Sequence, residues 1–273
     1  MTLIAILIGT LAAGIGSVWL AAALSFGVLA RYTQHMLSLA AGALLGTAFL
    51  HLLPEAFESA VAPQALFVTL LVGVVFFFLL DKAELWHHGH EHHHDGHADG
   101  EPQADHAHDH GHEHAHHLHG PGPLSRGWTV LAGDSVHCFG DGILIASAFV
   151  ADLRLGLIAA LAVLAHEVPH HMGDLAVLRV SSGTRQAALV KVTLAGAITA
   201  LGGLVGYWLV DRLRDYITYF LVVASSSFIY VALADLIPQL QKRLSLRETL
   251  AQIAWLLAGI ALVTLASAAT HAH

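Results

Sequence analysis

Between residues 129 and 178, two apolar runs long enough to cross a bilayer carry side chains that lipid does not tolerate alone. The first holds His137, Cys138 and Asp141 in the string HCFGDG. The second holds His166, Glu167, His170, His171 and Asp174 in HEVPHHMGD. Both sets fall near the middle of their runs, where a charged group costs about 2.5–3.5 kcal/mol on insertion scales. Any fold of this chain has to turn these groups toward one another and offset their burial.

Their spacing suggests how. His137 and Asp141 are four residues apart, as are His166 and His170, and residues at i and i+4 stack on one helical face. Cys138 and Glu167 sit beside them on the same flank. If the two helices pack together, imidazole and carboxylate groups converge on one point in a dry interior. That donor set suits zinc and its divalent neighbours, whereas magnesium or calcium is held by oxygen alone. A hydrogen-bond network that merely joins two helices is the plainer alternative, but it needs far fewer ionisable groups.

Composition places the whole chain in the membrane. Of 273 residues, 56% are hydrophobic and 12% charged, and the mean hydropathy is +0.65, outside the range of soluble globular proteins. Cys138 is the single cysteine, so no disulfide within the chain is possible. The net charge of −8, with an acidic cluster in the central connector, offers no case for binding nucleic acid. No prosthetic group is implied.

Apolar runs predict an all-α membrane protein with eight transmembrane helices at about 3–29, 35–57, 65–82, 126–150, 155–178, 187–210, 216–239 and 249–268. The first run is too long for a signal-peptide core, shows no clear cleavage motif, and is expected to be a span. The chain divides into helices 1–3 (1–83), a connector (84–125), helices 4–5 with the metal site (126–180), and helices 6–8 (181–273). One set of flanks carries Arg31, Lys82, Arg126, Arg179, Arg185, Lys242, Arg243 and Arg247, and the other Arg154, Arg212 and Arg214. The more basic side is expected to be cytoplasmic, with both termini outside, in a multi-pass protein of the cell membrane.

The other polar positions then fall into a series. His51 and Glu55, in HLLPEAFE, form a candidate entry on the outer side. Asp134, His171, Asp174, Asp81 and Asp235 lie toward the inner side as candidate exit residues. The connector holds 15 histidines between His87 and His119; such a tract cannot bury a core and reads as a disordered cytoplasmic collection of weak zinc sites. Pro169 removes one backbone donor from the fifth helix and is expected to kink it beside the ligands. Lys191 is expected to snorkel to the inner surface, with a place beside the site, substituting for a second cation, as the alternative.

HCFGDG followed by HEVPHHMGD, with HLLPEA upstream, YVALADLIPQL downstream and a histidine-rich connector between spans three and four, resembles the ZIP family of metal transporters across nearly the whole chain. The resemblance implies a ZIP-like eight-helix bundle with outward termini and a metal site between helices 4 and 5. It also implies uptake of zinc, or of cadmium, iron or manganese as divalent ions, toward the cytosol by alternating access. By position, it implies a main site of His137, Asp141, His166 and His170 and a neighbouring one of Cys138, Asp141, Glu167 and His170, with Asp81 and Asp235 on the release route. This chain departs from the family pattern where Cys138 replaces Asn, His171 replaces Glu, GTAF lacks an acidic residue, and Gln239 replaces Glu.

Two other functions are compatible with parts of the sequence. HEVPH satisfies H-E-x-x-H, the zinc-protease motif in which Glu167 would activate water; Pro169 within it and the second ligand set facing it argue against that chemistry. A metal exporter also uses histidine and aspartate four apart. Divalent metal ions and the lipid bilayer are the expected partners, and the oligomeric state is open, a homodimer included.

Overall fold

A computed structural model describes residues 1–25, 33–88, 123–241 and 245–271. Apart from His87 and His88, the histidine-rich tract lies outside the described residues. Within them, eight helices are long and apolar enough to cross a membrane: α1 (Thr2–Leu24), α2 (Thr33–Phe57), α3 (Pro63–Lys82), α4 (Leu131–Ala151), α5 (Leu153–Val180), α6 (Arg185–Arg212), α7 (Arg214–Leu240) and α8 (Leu246–Ala269). No strand occurs among the described residues. An all-helical fold satisfies the backbone inside each run, as a hydrocarbon environment demands. Hydroxyls in the spans do the same: Thr47 and Ser225 donate to the carbonyls of Ala43 and Leu221, four residues back, at 2.8 Å.

α5 is central. It begins where Asp152 accepts hydrogen bonds from the backbone N–H groups of Arg154 (2.8 Å) and Leu155 (3.4 Å). It ends near Gly183, whose φ of +72° supplies the left-handed residue that closes a helix. Thr184 then caps α6 by accepting from Ala187 N–H at 3.2 Å. Between these ends the helix continues through Pro169, which is buried. The helix thus runs on through Pro169 without a break.

α4 packs most extensively against α6, and also against α5 and α7; α1 and α2 complete the surroundings of α5. Small residues make the α4–α6 crossing close. A Cβ on Gly142 would run into the Thr199 carbonyl oxygen, and one on Gly202 into that of Phe139, so the two backbones touch where glycine alone fits. α3 and α8 lie at the periphery, with only 11% of each apolar window buried. Phe67, Leu71 and Val75 on α3 and Ile253 and Leu257 on α8 face outward, as lipid-facing side chains do.

Three helices contain π-helical turns: Ala12–Gly16 in α1, Ala48–Leu52 in α2 and Val231–Leu236 in α7. Each adjoins or contains a polar residue discussed below, respectively Ser17, His51 and Asp235. Such turns widen a helix by one residue and recur at functional positions.

Candidate metal centre

α4 and α5 bring the ligands together. His137 Nε2 and His166 Nε2 are 3.4 Å apart. Glu167 Oε1 is 3.3 Å from each of them. Asp141 Oδ2 is 3.2 Å from His166 Nε2 and 3.8 Å from His137 Nε2. These are five of the six edges of a tetrahedron, and all four donor atoms lie within 4.8 Å of one another. A tetrahedral zinc with bonds of roughly 2.0–2.1 Å separates its donors by about 3.3 Å. Asp141 Oδ2 and Glu167 Oε1, which point at the common centre, are buried, and the contacts given for them are with the imidazole nitrogens of the same group. Two such carboxylate oxygens are costly without a cation between them.

A second group lies beside the first and shares Glu167. Asp134, Cys138, Glu167 and His171 present four donor atoms within 4.8 Å. His171 Nε2 is 3.0 Å from Glu167 Oε2 and 3.5 Å from Asp134 Oδ1, and Cys138 Sγ is 3.6 Å from Asp134 Oδ1. Glu167 thus turns one oxygen to each group. Asp134 and His171, expected from the sequence on the inner side, stand with Cys138 and Glu167, because Asp134–Cys138 and Glu167–His171 are i,i+4 pairs on the facing flanks of α4 and α5.

His170 stands apart from the first four donors. Its ring stacks on that of His137 with centroids 5.3 Å apart, while its Nδ1 faces Asp174 Oδ2 at 3.3 Å and Asp134 Oδ1 at 3.7 Å. Asp134, His170 and Asp174 form a third donor group. His137 and His170 are the partly open members, with 27% and 35% of their side-chain surface exposed, whereas Asp141, His166, Glu167 and His171 are at 4% or less.

Those two histidines border a cavity of about 590 Å³ between α3, α4, α5 and α7. Asp134, Asp141 and Asp174 also line it, and Asp81, Tyr230 and Asp235 line it further along. Tyr230 donates to Asp81 Oδ2 at 3.0 Å, joining α7 to α3, and Gln239 donates to Asp235 Oδ1 at 2.9 Å. On the opposite side of the ligands, Ile145, Ala148 and Phe149 of α4 and Ile158, Ala159 and Ala162 of α5 are buried core. His51, buried, and Glu55, exposed, lie outside both the cavity and the donor groups. Lys191 Nζ donates to Ser182 at 3.0 Å near the far end of α5, as a snorkelling lysine would.

Two residues escaped the sequence reading. Ser17 of α1 lies 3.0 Å from His171 Nδ1; the run GIGSVW reads as small-residue scaffold, and its one signal is a lone hydroxyl among glycines. Tyr230 opens the string YVALADLIPQL, but nothing in that string pairs it with Asp81 before α3 and α7 are placed side by side.

A bundle of helices long and apolar enough to span a membrane, with clustered imidazole, carboxylate and thiol groups between two central helices, defines a multi-pass membrane protein with a candidate metal site in its interior. The family model for the ZIP zinc transporters matches residues 1–267, and the chain belongs to that family. It is 35% identical over 113 residues to the zinc transporter ZIP10 of Homo sapiens, covering 41% of this chain and 14% of that protein. It is 39% identical over 116 residues to human ZIP4, covering 42% of this chain and 18% of the relative. To ZIP13 of Pongo abelii it is 28% identical over 292 aligned positions, 97% of this chain and 79% of the relative. The matches to ZIP10 and ZIP4 thus span less than a fifth of those proteins' lengths. A family of zinc transporters lends no support to the protease reading of HEVPH.

Proposed function

We propose that this chain carries zinc, or a closely related divalent ion, across a membrane by alternating access, with His137, Asp141, His166 and Glu167 as the transport site. The observation that carries this reading is the near-tetrahedral spacing of four donors from two helices, two of them buried carboxylate oxygens with no other partner. Mixed imidazole and carboxylate ligation supports transport better than a cage of thiolates would, since a carrier must bind strongly enough to strip water and weakly enough to release. Zinc is the first choice on this donor set; cadmium, iron and manganese are the competitors.

The cavity supports a direction. It reaches the site from the side that holds Asp81 and Asp235, while packed apolar side chains cover the other side. With the more basic flanks in the cytoplasm, this is an inward-facing state in a cell membrane, both termini outside. The ion would enter from the His51 and Glu55 side after the helices rock. It would then leave past His170 and Asp174 to Asp81, Asp235 and the histidine-rich connector. Zinc-65 uptake into oriented proteoliposomes tests this reading: wild type accumulates the ion, and His137→Ala and His166→Ala do not. Equal uptake by both variants and wild type removes the proposed site.

A further inference from the structure

α1 carries no ionisable side chain between Thr2 and Leu24 and supplies no donor to the three groups, yet one of its hydroxyls reaches α5. Its buried polar side chains are Thr10 and Ser17. Thr10 donates within its own helix, to the Ile6 carbonyl at 2.7 Å. Ser17 likewise donates its single proton to the Gly14 carbonyl at 2.7 Å. Toward His171 Nδ1, 3.0 Å away, its oxygen can therefore only accept, so Nδ1 carries a proton. At the other end of that ring, Nε2 lies 3.0 Å from Glu167 Oε2. A carboxylate oxygen accepts at such a distance, so His171 donates at both ends, to α1 and to Glu167. The two oxygens of a carboxylate form one rigid fork. Holding Oε2 thus fixes the plane in which Oε1 faces His137 and His166, 3.3 Å from each. α1 is itself pinned about one turn before Ser17: a Cβ on Gly14 would run into the Gly196 carbonyl oxygen and Thr199 Oγ1 of α6, so the two backbones touch there. Ser17 and His171 are both 0% exposed, which leaves no water to take over either hydrogen bond.

We propose that Ser17 and His171 are positioning residues for the transport site: α1 gives the ion no ligand, but holds Glu167 through His171 so that Oε1 stands among the other donors before an ion arrives. The proposal deepens the transport reading and rests on it for the role of the first donor group. His171 is here an outer partner of a ligand, its Nε2 engaged with Glu167. Ligating carboxylates, like ligating histidines, depend on such partners for their orientation, and a site whose donors are held in place beforehand binds more tightly.

The test uses the purified full chain in lipid nanodiscs, titrated with cobalt as a coloured substitute for zinc and followed by the intense visible bands of a tetrahedral ion. Wild type develops the bands and His166→Ala loses them. Ser17→Ala shifts the bands and raises the midpoint of the titration by about 10–100-fold, the usual effect of removing an outer partner, at undiminished final amplitude. His171→Phe, which keeps the bulk of the ring, does the same. Adding Ser17→Ala to His171→Phe produces no further loss, because the serine acts only through the histidine. An unchanged midpoint in Ser17→Ala overturns the proposal, as does a lower amplitude at the wild-type midpoint, which marks a merely structural role. Losses that multiply in the double variant overturn it too, and so does a second band-forming ion that His171→Phe abolishes, since His171 would then be a ligand. Wild-type protein without the bands removes the first group as a metal site and the proposal with it. Zinc uptake separates the two readings: bands that obey these expectations in a chain that transports no zinc refute the transport reading and leave the positioning of Glu167 standing.

Discussion

Glu167 Oε1 lies 3.3 Å from His166 Nε2, its neighbour in the chain, and the same distance from His137 Nε2 on another helix. One carboxylate oxygen thereby ties α4 to α5, while its partner oxygen faces His171 at 3.0 Å. The residue that a protease would use to activate water is here placed between two imidazoles, in the donor group proposed as the transport site.

Replacing Asp141 or His166 with alanine removes one of four donors from the first group. Outer partners of metal ligands already contribute roughly 10–100-fold in affinity, so an inner donor should contribute at least that much. Zinc affinity measured by calorimetry on the purified variants should fall by about 100-fold or more, and uptake with it. Glu167→Gln should behave alike and produce no peptide-cleavage phenotype.

Acidification should weaken binding. The imidazoles and carboxylates coordinate only when unprotonated, so protons and metal compete for the same lone pairs. The apparent zinc affinity should fall by up to about tenfold per pH unit for each proton displaced. Zinc added to weakly buffered protein should release protons in proportion. A pH-independent affinity with no proton release would contradict the assigned donors.

Gly140 and Gly142 lie two residues apart in HCFGDG and should respond oppositely to alanine. A Cβ on Gly140 meets nothing within 4 Å, whereas one on Gly142 meets the α6 backbone at Thr199, Gly202 and Gly203. Gly140→Ala should leave the melting temperature in detergent near wild type. Gly142→Ala should force the helices apart and cost roughly 1–3 kcal/mol, the range for overpacking a tight interior.

Tyr230→Phe should act on release while sparing the ligands. It deletes the hydrogen bond to Asp81 that joins α7 to α3 along the cavity. A hydrogen bond of about 0.5–1.5 kcal/mol corresponds to roughly 2–10-fold in a rate. Transport rate should change within that range while equilibrium zinc affinity stays near wild type.

Lys191→Met separates a lysine anchored at the end of α5 from one that stands in for a cation. Its amine contacts Ser182 near the end of α5, so metal stoichiometry should be unchanged and stability should fall by no more than about 1 kcal/mol. A lysine that substituted for a second cation would, on removal, admit one more ion per chain.

The sequence by itself determined the eight helices, because a bilayer admits only long apolar runs with self-satisfied backbones, and each run is visible as composition. It also determined that α4 and α5 face each other, since charged groups at mid-membrane have no tolerable alternative. Spacing alone did not sort the donors into groups: His170 and His171 are adjacent on one helix, and the roughly 100° turn between neighbouring residues sends one toward Asp174 and the other toward Cys138. Only the tertiary structure decided that, together with the place of Ser17 and Tyr230, because both depend on which helix lies against which. Helix packing is set by shape at contacts such as that of Gly142 of α4 against α6, and side chains far apart in the chain meet only after that packing is complete.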